Sequence, residues 1–162
     1  MKRVYLDYAS TTPVDKRVIK VMRPFWSEKF GNTMSLHSFG REAKIALRQS
    51  REKIADLINA ESSEIIFTSS ATESNNMVLK GIGGRHIIIS SIEHPCIIKS
   101  AEWLEKQGIK ITKIPVDKYG LVNLRDIEKA ITKKTSLVSI IHASNEIGTI
   151  PVSYTHLTLP TN

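Results

Sequence analysis

Residues Glu64-Ile65-Ile66-Phe67-Thr68-Ser69-Ser70-Ala71-Thr72-Glu73-Ser74-Asn75-Asn76 set an apolar run directly against a cluster of small, mostly hydroxylated residues. The β-branched and aromatic residues at 65–67 predict a buried strand, and residues 72–80 predict a helix. A strand that feeds a tight turn and then a helix bares backbone N–H groups where the helix's partial positive charge gathers. With the hydroxyls of Ser69, Ser70 and Thr72 beside them, those groups make a cradle for a phosphate. The same residues have a purely structural reading. Ser70-Ala71-Thr72-Glu73 fits a capping box, in which Ser70 and Glu73 satisfy orphan N–H groups and bind nothing else. Taken alone, the stretch leaves both readings open.

Downstream, Gly81-Ile82-Gly83-Gly84 ends the helix, and His86-Ile87-Ile88-Ile89-Ser90 predicts a second buried strand. A helix is expected over 96–107, with Ile97, Ala101 and Leu104 on its inner face and Gly108 as its stop. Residues 109–115 alternate as a strand. A short amphipathic helix follows, starting at 123 or 124 and running to 131, then a buried strand over 136–141. Upstream, 4–8 alternates like a short strand. Asp15 is placed to cap a helix carrying Val18, Ile19, Val21 and Met22, which Pro24 ends or kinks. A polar loop with two glycines covers 30–40. A long helix over 41–58 lines up Ala43, Leu47, Ser50, Ile54, Leu57 and Ile58 on one face.

Strands alternating with helices predict an α/β fold, a mostly parallel sheet with helices on both faces. In such sheets ligands collect at the carboxyl ends of the strands. Three of those ends are rich in side chains that bind or catalyse: 68–72, Glu93-His94, and 142–148.

The chain's 162 residues suffice for one domain with a real core. The single cysteine excludes an internal disulfide framework and suits a reducing cytosol. A net charge of +7 is spread among helices that also carry Glu and Asp, and aromatics are only 6%. This favours a solvated basic surface, or attraction to small anions, over nucleic-acid binding. No apolar run has the length of a membrane span, and Met1-Lys2-Arg3 leads into no signal-peptide core, so cytoplasmic residence without a membrane is expected.

Five motifs in order carry a resemblance: 5–13 (YLDYASTTP), Gly31-Asn32 with 35–40 (SLHSFG), 68–76 (TSSATESNN), Glu93-His94-Pro95 and Asn145-Glu146-Ile147-Gly148. Together they resemble the cysteine desulfurases of the NifS/IscS type, in the class V aminotransferases, over about residues 3–152. The resemblance implies the large domain of a fold-type-I, pyridoxal phosphate (PLP)-dependent transferase, here incomplete. It implies a homodimeric parent that converts L-cysteine to L-alanine. The sulfur passes to an enzyme persulfide, and from there to an acceptor or scaffold protein for iron–sulfur cluster assembly or thiolation. It implies that Ala71 and Thr72 hold the cofactor phosphate, that His94 stacks on the pyridine ring and transfers protons, and that Asn145 bonds near the phenolic oxygen or substrate carboxylate. Asn32 and Ala9 fall toward the substrate side. No metal is implied.

On the residues alone, His94 also reads as a surface histidine before a helix-starting proline, and Asn145-Glu146 as a polar turn. Thr33, Ser70 and Ser144 depart from the family pattern; at Ser70 a turn needing positive φ would be uncomfortable. The family's Schiff-base lysine and persulfide-forming cysteine belong to segments beyond 152. Cys96 therefore reads as a packing or surface residue, and the chain by itself as inactive. Residues 153–162 have no counterpart in the family and read as a non-homologous tail, as if a junction had been translated. Other class V enzymes, a selenocysteine lyase or a small-substrate aminotransferase, are the nearest alternatives. A non-catalytic phosphate-binding scaffold is the alternative from another class.

Overall fold

The computed structural model describes residues 3–151, so the expected tail at 153–162 lies outside the described residues. The chain divides into two compact units, with the boundary between Phe67 and Thr68.

The first unit is helical. Helix α1 (Lys16–Met22) is capped by Asp15, whose carboxylate accepts the Arg17 N–H at 2.7 Å, and passes into a 3-10 turn at Arg23–Trp26 as Pro24 interrupts it. Helix α2 spans Ser38–Ile58. It begins earlier than the sequence suggests because the His37 imidazole caps it by accepting the Gly40 N–H at 3.4 Å. The loop before it packs closely on that first turn. A Cβ on Gly40 would collide with the carbonyl oxygens of Ser35 and Asn32, and one on Gly31 with the Phe39 backbone. The left-handed Asn59 (φ 54°) closes the helix. Of the apolar face expected on α2, only Ala43 is buried, together with Gly40 and Ala55. Leu47, Ile54, Leu57 and Ile58 are exposed.

Two expected strands are absent. Residues 4–8 form no strand, and Ile65-Ile66-Phe67 runs as irregular backbone with Ile66 65% exposed. Both have suitable side chains, but no strand pairs with either among the described residues, and a strand without a partner has no ladder.

The second unit holds helices α3 (Ala71–Gly81), α4 (Pro95–Lys106) and α5 (Leu124–Ala130). Its strands are β1 (His86–Ser90), β2 (Lys110–Ile114) and β3 (Thr135–Ser139). They form a parallel sheet in the order β2-β1-β3. The β1 isoleucines point alternately to two cores. Ile87 and Ile89 pack with Leu79 of α3 and with Ile97, Ala101 and Leu104 of α4. Ile88 packs on the other face with Ile114, Val122 and Ile127 of α5. Helices thus cover both faces, as a parallel sheet requires. His86 ties the strand starts together: its ring nitrogens lie 2.8 Å from Thr135 Oγ1 of β3 and 2.8 Å from Thr112 Oγ1 of β2. Burial, then Lys110, lowers its pKa. Among the described residues no helix is long and apolar enough to cross a membrane.

Candidate functional site

At the carboxyl ends of β1 and β3 the second unit opens a cavity of about 360 Å³. It is lined by Ala71 and Asn75 of α3, by Glu93, His94, Cys96 and Ile97 at the start of α4, and by residues 139–142 and Asn145 after β3.

The first wall is the turn into α3. Ser70 is extended (φ −166°), so the position asks for no positive φ and the expected discomfort of serine there does not arise. Its hydroxyl accepts the Glu73 N–H at 3.2 Å. The Glu73 carboxylate bypasses the Ser70 N–H and takes the Ser69 hydroxyl at 2.6 Å and the Ser69 N–H at 2.7 Å, bonds that hold its pKa below the usual value. Thr68 Oγ1 and Ser74 Oγ, 2.6 Å apart, tie the turn to the helix. Cap and cradle therefore coexist. The cap uses the third helical N–H, while those of Ala71 and Thr72 at the exposed first turn have no protein acceptor among the described residues. An open pair of N–H groups at a helix start suits an anion.

The second wall is the β1–α4 loop. Glu93 is buried, and its Oε1 accepts the Ser90 hydroxyl and the Ile141 N–H, both at 2.6 Å. One carboxyl group thus joins the end of β1 to the chain leaving β3. Burial pushes the Glu93 pKa up, and the two short bonds only partly offset it. His94 is exposed on the cavity side and caps α4, its Nδ1 accepting the Cys96 N–H at 3.2 Å. Pro95 fills the first helical position, where a missing N–H costs nothing. Cys96 Sγ lies 3.0 Å from His94 Nδ1 and receives Asn75 Nδ2–H at 3.2 Å.

The third wall is the loop after β3. The Ser144 N–H donates to the Thr149 carbonyl at 2.8 Å and the Gly148 N–H to the Ser144 carbonyl at 2.8 Å, closing a turn that presents Asn145. Gly148, at φ 71°, makes that closure possible.

The structure thus brings Ala71, His94 and Asn145 to one cavity from three separate segments, the start of α3, the β1–α4 loop and the loop after β3, although no strand precedes the first. Thr72 sits beside Ala71 on the same first turn but is not a lining residue. Ala9 and Asn32 belong to the first unit, where Asn32 Oδ1 accepts the Met34 N–H at 2.9 Å. Residue types and spacing assign no role to Asn75 or the backbone at 140–141, and mark Glu93 only as part of a strand end rich in side chains that bind or catalyse. Asn75 was findable, since it follows Ala71 by four residues and so shares its helix face. The Glu93–Ile141 bond spans 48 residues and left no local signal.

Comparison with known proteins gives the chain a family. The aminotransferase class-V family matches residues 4–154. A cysteine desulfurase IscS from Dictyoglomus turgidum is 54% identical over 157 aligned residues, covering 93% of this chain and 40% of that protein. Cysteine desulfurase IscS 1 from Archaeoglobus fulgidus is 51% identical, covering 90% of this chain and 40% of that protein. Among solved structures, a NifS-like protein superposes with a TM-score of 0.88 at 42% identity over 92% of this chain and 43% of that one. SspA in complex with cysteine superposes at 0.84 with 39% identity over 90% of this chain and 44% of that one. The chain spans about 40% of the length of the curated relatives it matches. With residues 4–154 matched by the family and the sheet shared with its solved structures, the chain belongs to the class V aminotransferases.

Proposed function

We propose that this chain forms the phosphate- and ring-binding part of a PLP-dependent cysteine desulfurase. The observation that carries the reading is the joining, at one cavity, of an open helix start with an exposed imidazole and an exposed carboxamide. The cofactor consists of a phosphate dianion, a flat ring and a phenolic oxygen, and each meets a matching group. The cavity also falls within the range of about 300–1,000 Å³ usual for small-molecule sites. The N–H groups of Ala71 and Thr72, with the Thr72 hydroxyl, bind the phosphate. His94 would meet the pyridine ring and hold or move a proton at Nε2, and the Asn145 amide would bond the phenolic oxygen or the substrate carboxylate. When bound, the cofactor supplies an electron sink for bond cleavage at the amino-acid substrate.

The whole protein, on this reading, takes sulfur from L-cysteine, leaves L-alanine, works as a homodimer in the cytoplasm and hands sulfur to an acceptor protein. The identity to proteins named cysteine desulfurase supports it, as does the likeness to a structure holding cysteine. The chain alone releases no alanine, because no lysine lines the cavity among the described residues and the single thiol is engaged by His94 and Asn75.

Equilibrium dialysis of the chain against PLP tests the reading. Saturable binding is expected, with inorganic phosphate competing. Ala71→Pro is the diagnostic variant: proline is tolerated at the first helical position and after an extended residue such as Ser70, but it deletes one N–H donor. Losing a charge-assisted bond should weaken binding about tenfold. Absence of saturable binding, or indifference to both phosphate and the proline, rejects the proposal.

A further inference from the structure

His94 reaches the cavity with its two ring nitrogens in different situations. Nδ1 accepts the Cys96 backbone N–H at 3.2 Å as the cap of α4, and a ring nitrogen that accepts is unprotonated. In the neutral ring the proton therefore sits on Nε2. The same Nδ1 lies 3.0 Å from Cys96 Sγ. Having no proton to give, it accepts the hydrogen bond of the thiol S–H, whose proton stays on sulfur. The sulfur's lone pairs are addressed from the other side by Asn75, whose Nδ2 donates at 3.2 Å. From Asn75 through Cys96 to His94 Nδ1, each donor meets an acceptor, and only the Nε2–H is left facing the cavity. The reverse arrangement, with Nδ1–H donating to a thiolate, would set that proton against the Cys96 N–H, donor to donor.

We propose that Cys96 and Asn75 are positioning residues for His94, holding its imidazole as the Nε2–H tautomer with Nδ1 turned to α4. The site thus presents a proton donor, not a base, to whatever enters the cavity. Asn75 lies one turn beyond Ala71 on α3, so the helix that opens the anion cradle also aims the ring. This extends the role given to His94 above and rests on that reading for its bearing on function. The tautomer itself belongs to the chain and is measurable with no cofactor.

The test is a long-range proton–nitrogen correlation spectrum of the chain labelled with ¹⁵N-histidine, at about pH 8, above the ordinary imidazole range. His94→Gln identifies the His94 signals, and the His86 signals, from a ring held between two strands, report folding. The expected wild-type pattern is a protonated Nε2 and an acceptor Nδ1 displaced by hydrogen bonding. Cys96→Val, which keeps the bulk and removes the donor, moves Nδ1 toward the unbonded acceptor position. Cys96→Ser, which restores an O–H, returns it. If Cys96→Val disturbs the His86 signals, Cys96→Ala takes its place. A wild-type proton on Nδ1, or an Nδ1 signal that Cys96→Val leaves unmoved, overturns the proposal. If the spectra behave as expected but the chain binds no PLP, the functional reading falls and this one stands.

Discussion

Glu93 shows how a single side chain sets the geometry of a site through a partner distant in sequence. Its carboxyl group closes the gap between the β1 and β3 ends by accepting from Ser90 and Ile141, and burial is the cost of that position. With its pKa raised from the ordinary 4.5, the folded chain holds this proton to higher pH than the unfolded chain does. The stability it contributes is therefore complete below about 4.5 and is lost as pH rises through the folded value. Glu93→Gln keeps an oxygen for both donors and removes the charge. Its melting temperature should gain on wild type steadily as pH rises from 4.5 toward neutrality. A difference between the two proteins that stays flat with pH would show that Glu93 is not the titrating group. The motif containing Glu93 was legible in the sequence, but the group it latches to was not, because Ile141 lies 48 residues away.

At the scale of elements, α3 and α4 are joined by polar contacts as well as by Leu79, Ile97, Ala101 and Leu104. The buried Ser100 hydroxyl donates to Asn76 Oδ1 at 2.9 Å, and Asn76 Nδ2 returns to the Thr72 carbonyl on its own helix at 2.9 Å. Ser100→Ala should cost about 1 kcal/mol, with Asn76→Ala costing much less in the Ser100→Ala background than alone. Chemical denaturation of the two single variants and the double variant measures this coupling; strict additivity would mean that the bond contributes nothing. The helices themselves were readable from periodicity and caps, since Asp15, Ser70 and Asn123 each accept an N–H near their helix start. Their limits moved by one to three residues where a cap of another kind acted, as with His37 before α2 and His94 before α4.

For the molecule as a whole, much apolar surface is open. Leu57 is 80% and Ile58 64% exposed at the end of α2, and Ile66 and Phe67 are exposed where a strand was expected. Apolar patches of this kind promote association in water. The chain should therefore bind a hydrophobic dye and self-associate as concentration rises, and the double variant Leu57→Glu, Ile58→Glu should reduce both with helix content unchanged. Sedimentation velocity across a concentration series decides it. A monodisperse monomer with no dye binding would contradict the expectation.

The sequence by itself determined what short-range chemistry determines. The β-branched run of β1 makes a buried strand, capping side chains start helices, and five ordered motifs identify the family. Only the tertiary structure decided which apolar runs enter the sheet, and it left 65–67 out, because a strand exists by virtue of a partner and not of its own letters. It also decided that Ser70 and Glu73 cap α3 while leaving the Ala71 and Thr72 N–H groups open. The relay from Asn75 through Cys96 to His94 likewise appears only once α3 and α4 are packed together, since hydrogen bonds read distance in space and not spacing along the chain.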